Sequence, residues 1–226
     1  MRRQTQTKHK ERRAKEHRRL SAMQIAVFVI GAIVFLCAAG FGGYLLYEEA
    51  QYQKALRNYP VAYVDFIAQY AEKYELDPYL VQSIMRCESS NDPNAVSHAG
   101  AIGLMQIMPD TGEWIGHKID PELAYSLDML NDPATNIEYG CWYLRFLSGR
   151  FDGAWMEIIA AYNAGHGSVE DWLSDPRFSD AGVLTVIPFE ETARYYGKVL
   201  AAYDNYTTLY PDLFAKSAQT AYVVGE

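Results

Sequence analysis

The 226-residue chain is 50% hydrophobic with a formal net charge of −8, enough apolar material for one ordinary domain and a short appendage. Residues 1–47 hold nine of the 20 bases but only two of the 28 acids, so the remainder carries a net charge of about −15. That balance excludes nucleic acid as a partner, whose phosphates would be repelled, and disfavours an anionic membrane surface, whereas a neutral ligand such as a glycan suits it.

In chain order, a basic tail (residues 1–21) precedes "AMQIAVFVIGAIVFLCAAGFGGYLLY", residues 22–47, which contain no charge over 26 positions. A helix needs about 20 such residues to cross the hydrocarbon layer. The segment therefore predicts a single-pass transmembrane anchor, with the basic N-terminus in the cytoplasm and everything after Tyr47 exported. The alternative is a signal peptide cut near Ala39, although its apolar stretch would normally be about 7 to 15 residues. Cys37 follows the bulky Leu36 and reads as lipid-facing filler rather than a lipid attachment site. Cys87 and Cys141 remain in the exported part, where an oxidising compartment permits a bridge, although separate small buried thiols are the favoured reading. No CxxC, HExxH or histidine cluster occurs, so no metal and no cofactor is expected.

Residues 48–59 read as a polar juxtamembrane connector, residues 60–211 as the exported domain and residues 212–226 as a flexible tail. Five Asp-Pro pairs, at 77–78, 92–93, 120–121, 132–133 and 175–176, punctuate the domain. Aspartate caps a helix and proline fits its first turn, so several of these predict helix starts. The apolar spacing predicts helices over 61–74, 78–90, 104–115, 133–149, 154–163, 168–174 and 189–209, with a weak capping box from Ser168 and Asp171 for the sixth. Strand patterns are nearly absent, with at most 183–188 extended. The fold class is mainly α.

On the helix starting at Pro78, Leu80, Val81, Ile84 and Glu88 share one face, so the carboxyl continues an apolar stripe. Apolar surroundings raise a carboxyl's pKa and can keep it protonated near neutrality, as a general acid requires. A partly solvated helix end is the plainer alternative. The segment beyond Glu88 is lean and polar: Gly100 and Gly103 permit close backbone approach, while Ser97 and Gln106 offer uncharged hydrogen-bond partners. Such a lining suits a bulky neutral ligand such as a sugar chain.

The stretch Glu88, Ser89, Pro93, Ala95, Ser97, Gly100, Ala101, Gly103, Leu104, Met105, Gln106, Pro109 and Thr111 resembles the catalytic motif of the soluble lytic transglycosylase family. Asn91 stands where that pattern has an aromatic residue, and Asp92 where it has asparagine. "AAYNAGHGSV", 160–169, resembles the family's second motif with Tyr162, Asn163 and Gly165; "IPFEETARYYGKVL", 187–200, resembles its third with Tyr195, but with Ala193 in place of the arginine. Arg194 would point about 100° away from that position on a helix. The three motifs span nearly the whole exported domain.

The resemblance implies a lysozyme-like helical domain that cleaves bacterial peptidoglycan from outside the cytoplasmic membrane, with glycan strands as its partner. Glu88 would be the single catalytic acid and base. It would protonate the oxygen between N-acetylmuramic acid and N-acetylglucosamine, then accept the proton of the muramic C6 hydroxyl as that oxygen closes a 1,6-anhydro ring. Ser97, Met105, Gln106, Tyr162, Asn163 and Tyr195 would bind or orient the sugars. For Tyr162 and Asn163, packing and capping of the helix end before Gly165 is the alternative. Asp92 is the nearest candidate for a second carboxylate. His98 and His166 read as solvated loop residues; Trp114, Trp155 and the aromatic stripe 139–147 read as core, although either tryptophan could stack on a sugar ring. A hydrolytic muramidase of the same fold and a non-catalytic glycan-binding module remain the competing readings.

Overall fold

The computed structural model describes residues 2–215. It divides into two units, parted between Ala55 and Leu56. The first is the greater part of helix α1 (Arg2–Asn58), along which the large apolar side chains from Met23 to Tyr47 are exposed. Residues 48–58, within the stretch read as a polar connector, continue this helix. They contain no proline or glycine, and nothing local breaks the helix before Pro60.

The second unit is a helical domain. It comprises α2 (Val64–Lys73), α3 (Pro78–Ser89), α4 (Pro109–Ile119), a short 3-10 turn (Leu127–Asn131), α5 (Pro133–Arg150), α6 (Trp155–Ala164), α7 (His166–Ser174), a two-stranded hairpin of β1 (Ser179–Asp180) and β2 (Val183–Leu184), and α8 (Glu190–Leu209). The core lies around α5 and α6, where Ile137, Cys141, Leu144, Leu147, Ile159, Ala160 and Ala161 are fully buried. Helix α8 lies along α3, and their contact carries the site.

The Asp-Pro pairs separate into two classes. Asp77 and Asp132 cap α3 and α5 by accepting the amides of Tyr79 and Thr135, each at 2.8 Å. Asp92, Asp120 and Asp175 accept the amide two residues on, as Asp77 does, at 2.9 to 3.0 Å, but turns rather than helices follow them. Helix α4 begins at Pro109 rather than near 104, because Gly103 and Gln106 adopt positive φ and break the run. Ser168 does not cap α7: the helix starts at His166 after Gly165, and the Ser168 hydroxyl donates back to the Ala164 carbonyl. Cys87 and Cys141 are both free. The predicted tail from 212 begins with packed residues, since Phe214 is buried and meets the Tyr79 ring edge-on; residues 216–226 lie outside the described residues.

Asn91 has a local role. At φ +67°, a conformation asparagine tolerates, its amide donates to the Pro60 carbonyl (3.1 Å), which Tyr206 also bonds. A polar tie to the start of the domain thus stands where the family pattern has an aromatic contact.

Candidate active site

Helix α3 sets Glu88 in its last turn, four residues beyond the fully buried Ile84. Helix α8 brings Tyr195 against it, and the phenol donates to Glu88 Oε1 at 2.5 Å. Burial raises the Glu88 pKa to about 7; the Tyr195 hydrogen bond, which favours the ionised form, partly opposes the rise. Near neutrality this carboxyl can give a proton or take one. The Tyr195 and Tyr162 phenols are both held well above their ordinary range, first by burial and then by the Glu88 charge, so both remain hydrogen-bond donors.

The loop after α3 is a compact knot. Ile102 bridges to Val96 on one side and to Ile107 on the other, and the Gly103 amide donates to the Ala95 carbonyl at 2.8 Å. Ser97 Oγ accepts the Ala101 amide (2.9 Å). The Gln106 amide group donates to the carbonyls of Ala95 (3.1 Å) and Gly103 (2.9 Å), so what it has left to offer a ligand is a carbonyl oxygen. Met105 is fully buried, its side chain fitted against Gly140, where a Cβ would come within 2.7 Å of it. Its backbone does the connecting work: the Met105 carbonyl accepts the Tyr162 hydroxyl at 2.9 Å. Asp92, at the outer edge of the loop, is exposed and occupied with the Asn94 amide.

Asn163 is exposed at the end of α6 and accepts the hydroxyl of buried Thr192 (2.8 Å). This bond joins the second motif to the first turn of α8. Beside it opens a cavity of about 470 Å³ lined by Asn163, Pro188, Phe189 and Glu190, among others. Of the residues singled out from sequence, Glu88 and Tyr195 touch each other, and Tyr162, Met105 and Gln106 form one bonded framework. Ser97 lies within the same loop, and Asn163 faces the separate cavity. Ala193 and Arg194 are both exposed, and Arg194 pairs with Glu190 at 2.5 Å; it is not directed at Glu88.

Two residues escaped sequence reasoning. Asn136, buried within α5, donates to the carbonyls of Ile102 (2.9 Å) and Leu130 (2.8 Å) and accepts the Met105 amide (2.7 Å). It is the internal brace of the loop. A lone amide on an apolar helix face was its signal, since such a group must find partners. Thr192 gave no signal, because its partner is 29 positions away.

Replacement of Tyr195 by Phe removes the one interaction that lowers the Glu88 pKa. The upper pH limit of activity should move above about 7, with kcat reduced about tenfold through loss of a group that orients the carboxyl. A pH–rate profile reads both effects, and an unshifted limit would separate Tyr195 from the acid.

Residues 65–183 match the family described as Transglycosylase SLT domain. The chain is 37% identical over 151 residues to the soluble lytic murein transglycosylase of Escherichia coli K12, covering 66% of this chain and 23% of that protein. It is 32% identical over 165 residues to the membrane-bound lytic murein transglycosylase C of Salmonella paratyphi B, covering 64% and 46%. The crystal structure of the 70 kDa soluble lytic transglycosylase from Escherichia coli superposes with a TM-score of 0.62 at 34% identity, over 68% of this chain and 25% of that one. The chain thus spans only part of the length of these relatives, and the region in common is its mainly α, lysozyme-like domain. With more than half of its residues matched, the chain belongs to the transglycosylase SLT domain family.

Proposed function

We propose that this protein is a membrane-anchored lytic transglycosylase that cleaves the bond between N-acetylmuramic acid and N-acetylglucosamine in peptidoglycan and leaves 1,6-anhydro ends. The observation that carries the reading is the state of Glu88: its acidity is set by burial and by Tyr195, with no neighbouring carboxylate contributing. Two-carboxylate glycosidases need a second acid as nucleophile or base. With one acid, an attacker within the substrate can take the place of the second carboxylate.

The protonated Glu88 donates to the glycosidic oxygen as its bond to muramic C1 breaks, and N-acetylglucosamine leaves with a free hydroxyl. The resulting carboxylate accepts the proton of the muramic C6 hydroxyl while that oxygen bonds to C1, which returns Glu88 to its starting state. The attack is intramolecular and gains a large effective molarity. Tyr195 holds the carboxyl through both transfers. The loop braced by Tyr162 and Asn136 presents Ser97 and Gln106 to the sugars, and Asn163 extends the lining toward the α8 cavity.

The uncharged segment 22–47, exposed along α1, supports a single-pass anchor in the bacterial cytoplasmic membrane with the domain outside, and a relative is itself named membrane-bound. Digestion of purified peptidoglycan by the full chain, followed by mass spectrometry, should yield fragments with anhydro ends. Exclusively reducing ends, with water added, would make the protein a hydrolytic muramidase; no cleavage would leave a glycan-binding module.

A further inference from the structure

A further cavity of the second unit, of about 410 Å³, is lined by Asn58, Tyr59, Arg86, Cys87, Ser90 and Lys198, among others. Its charge sets it apart. Among the described residues from 60 onward, Lys73, Arg145, Arg150, Arg177 and Arg194 are each paired with a carboxylate. Arg86, Lys118 and Lys198 are not, and two of these three line this one cavity. Acids are in large excess in the exported part, yet none stands three or four positions from Arg86 or Lys198, where it could pair along the helix. The Arg86 guanidinium is held without being neutralised. Its Nε and Nη2 donate to the Asn58 carbonyl at 3.0 and 2.9 Å, which fixes its plane and leaves the remaining N–H donors for another acceptor. Cys87 shows that the two charges converge: burial and then the Glu88 charge push its thiol up to about 11, and Arg86 and Lys198 both act against that rise.

We propose that this cavity is a binding site for a phosphate monoester, with the phosphate between Arg86 and Lys198 and its organic substituent against Tyr59 and Ala202, which complete the wall. Charge selects the ligand. A phosphate monoester carries about −1.5 to −2 near neutrality, which two cations match, whereas a carboxylate would leave one of them unanswered. A guanidinium of fixed plane suits phosphate oxygens, and the flexible lysine follows as a point charge. The volume lies within the range of small-ligand pockets and admits the phosphate with a short substituent. Such an ester reaches the domain either in solution or on a lipid headgroup. Asn58 follows Tyr47 by 11 positions, so the chain keeps the cavity within about 40 Å of the end of the proposed anchor. The site is separate from the chemistry: neither cation contributes to the acidity of Glu88, and the inference does not depend on the proposed reaction.

Titration calorimetry of the full chain in detergent with glycerol 3-phosphate tests the site. Lys198→Ala should weaken binding by at least about tenfold, the worth of one hydrogen bond to a charged group, while Lys198→Arg retains most of it and Glu88→Gln leaves it unchanged. Lys198 is exposed, so its variants should melt as the unaltered chain does and release wall fragments at the same rate. Arg86→Ala should weaken binding as well, and the Lys198 variants keep the test decisive if loss of the Asn58 tie costs the fold. Competition separates the two sources. Displacement of glycerol 3-phosphate by phosphatidic acid in mixed micelles, but not by phosphatidylcholine, assigns the site to a lipid headgroup; no displacement assigns it to a soluble ester. Absence of binding, equal binding of acetate, or binding that survives Lys198→Ala would overturn the proposal. So would loss of binding in Glu88→Gln, which would put the anion in the active site. Absence of any cleavage by the unaltered protein would strike the proposed function and leave this site standing.

Discussion

Replacement of Glu88 by Gln is expected to lower peptidoglycan cleavage by at least about 10²- to 10⁴-fold, the usual worth of a positioned acid or base, with the fold intact. Glutamine keeps the shape and can still accept the Tyr195 hydroxyl, so the exchange removes the transferable proton and little else. In the proposed mechanism both half-reactions pass through this one carboxyl, which leaves no second group to carry residual turnover. The pH dependence comes from the raised pKa. The proposed mechanism starts from the protonated form in the free enzyme, so kcat/KM should be level below neutrality and fall as pH rises through about 7.

Stability gives an independent check with its own sign. A carboxyl whose folded-state pKa lies above its unfolded value favours the folded state at low pH. Its contribution is complete below the unfolded value near 4.5 and is lost as pH rises toward about 7. Glu88→Gln protein should therefore be more stable than the unaltered chain at pH 8, by about 2 kcal/mol after allowance for the partial solvent contact of the carboxyl. The two should converge at pH 4. Full activity in the variant, measured as fragments released from purified wall, would remove Glu88 from the reaction.

Local chemistry made most of the helices readable. Asp77 and Asp132 were visible as caps because an acid, a proline and an apolar stripe came in order, and the structure places helices behind both. The same dipeptide at 92, 120 and 175 makes turns, and no apolar stripe starts immediately behind those pairs. The error at α4 came from reading Leu104 to Met108 as the beginning of an apolar helix. Pro109, a residue suited to a first helical position, marks the true start. Glu88 could be singled out because its distinguishing property, a carboxyl in line with an apolar stripe, is local to one helix.

Contact between distant segments could not be read. The position of Tyr195 over Glu88 depends on how α8 lies along α3, and the resemblance to the family, rather than spacing, placed it there. Trp114 was expected inside because large aromatic residues bury most apolar area when enclosed. The buried glycines of α4 show that its core face needs small residues, which leaves the tryptophan outside. Met105 was expected at the sugars, but its side chain fills the notch at Gly140 and only its backbone serves the loop.

Gly103→Ala should be the most damaging single substitution outside Glu88. At φ +78° the residue sits where a side chain is disfavoured, and a Cβ would lie 2.7 Å from the Leu130 carbonyl oxygen and 2.8 Å from Asn136 Cγ. Overpacking of this kind costs about 1–3 kcal/mol, and the left-handed backbone adds roughly 1–2 kcal/mol. For a domain of this size the melting temperature should fall by about 10 °C. Activity should fall further than stability alone explains, because the displaced Asn136 is what holds the Met105 amide. A shift of about 1 Å in a substrate-positioning loop can cost about a hundredfold in rate. The double variant Gly103→Ala, Asn136→Ala discriminates between strain and loss of the brace. Removing the Asn136 amide relieves one of the two collisions, so the destabilisations should fall short of additivity by about 1 kcal/mol, while activity stays low because the brace is gone. Strict additivity, or a Gly103→Ala protein with ordinary melting and ordinary turnover, would mean that the loop finds another way to pack.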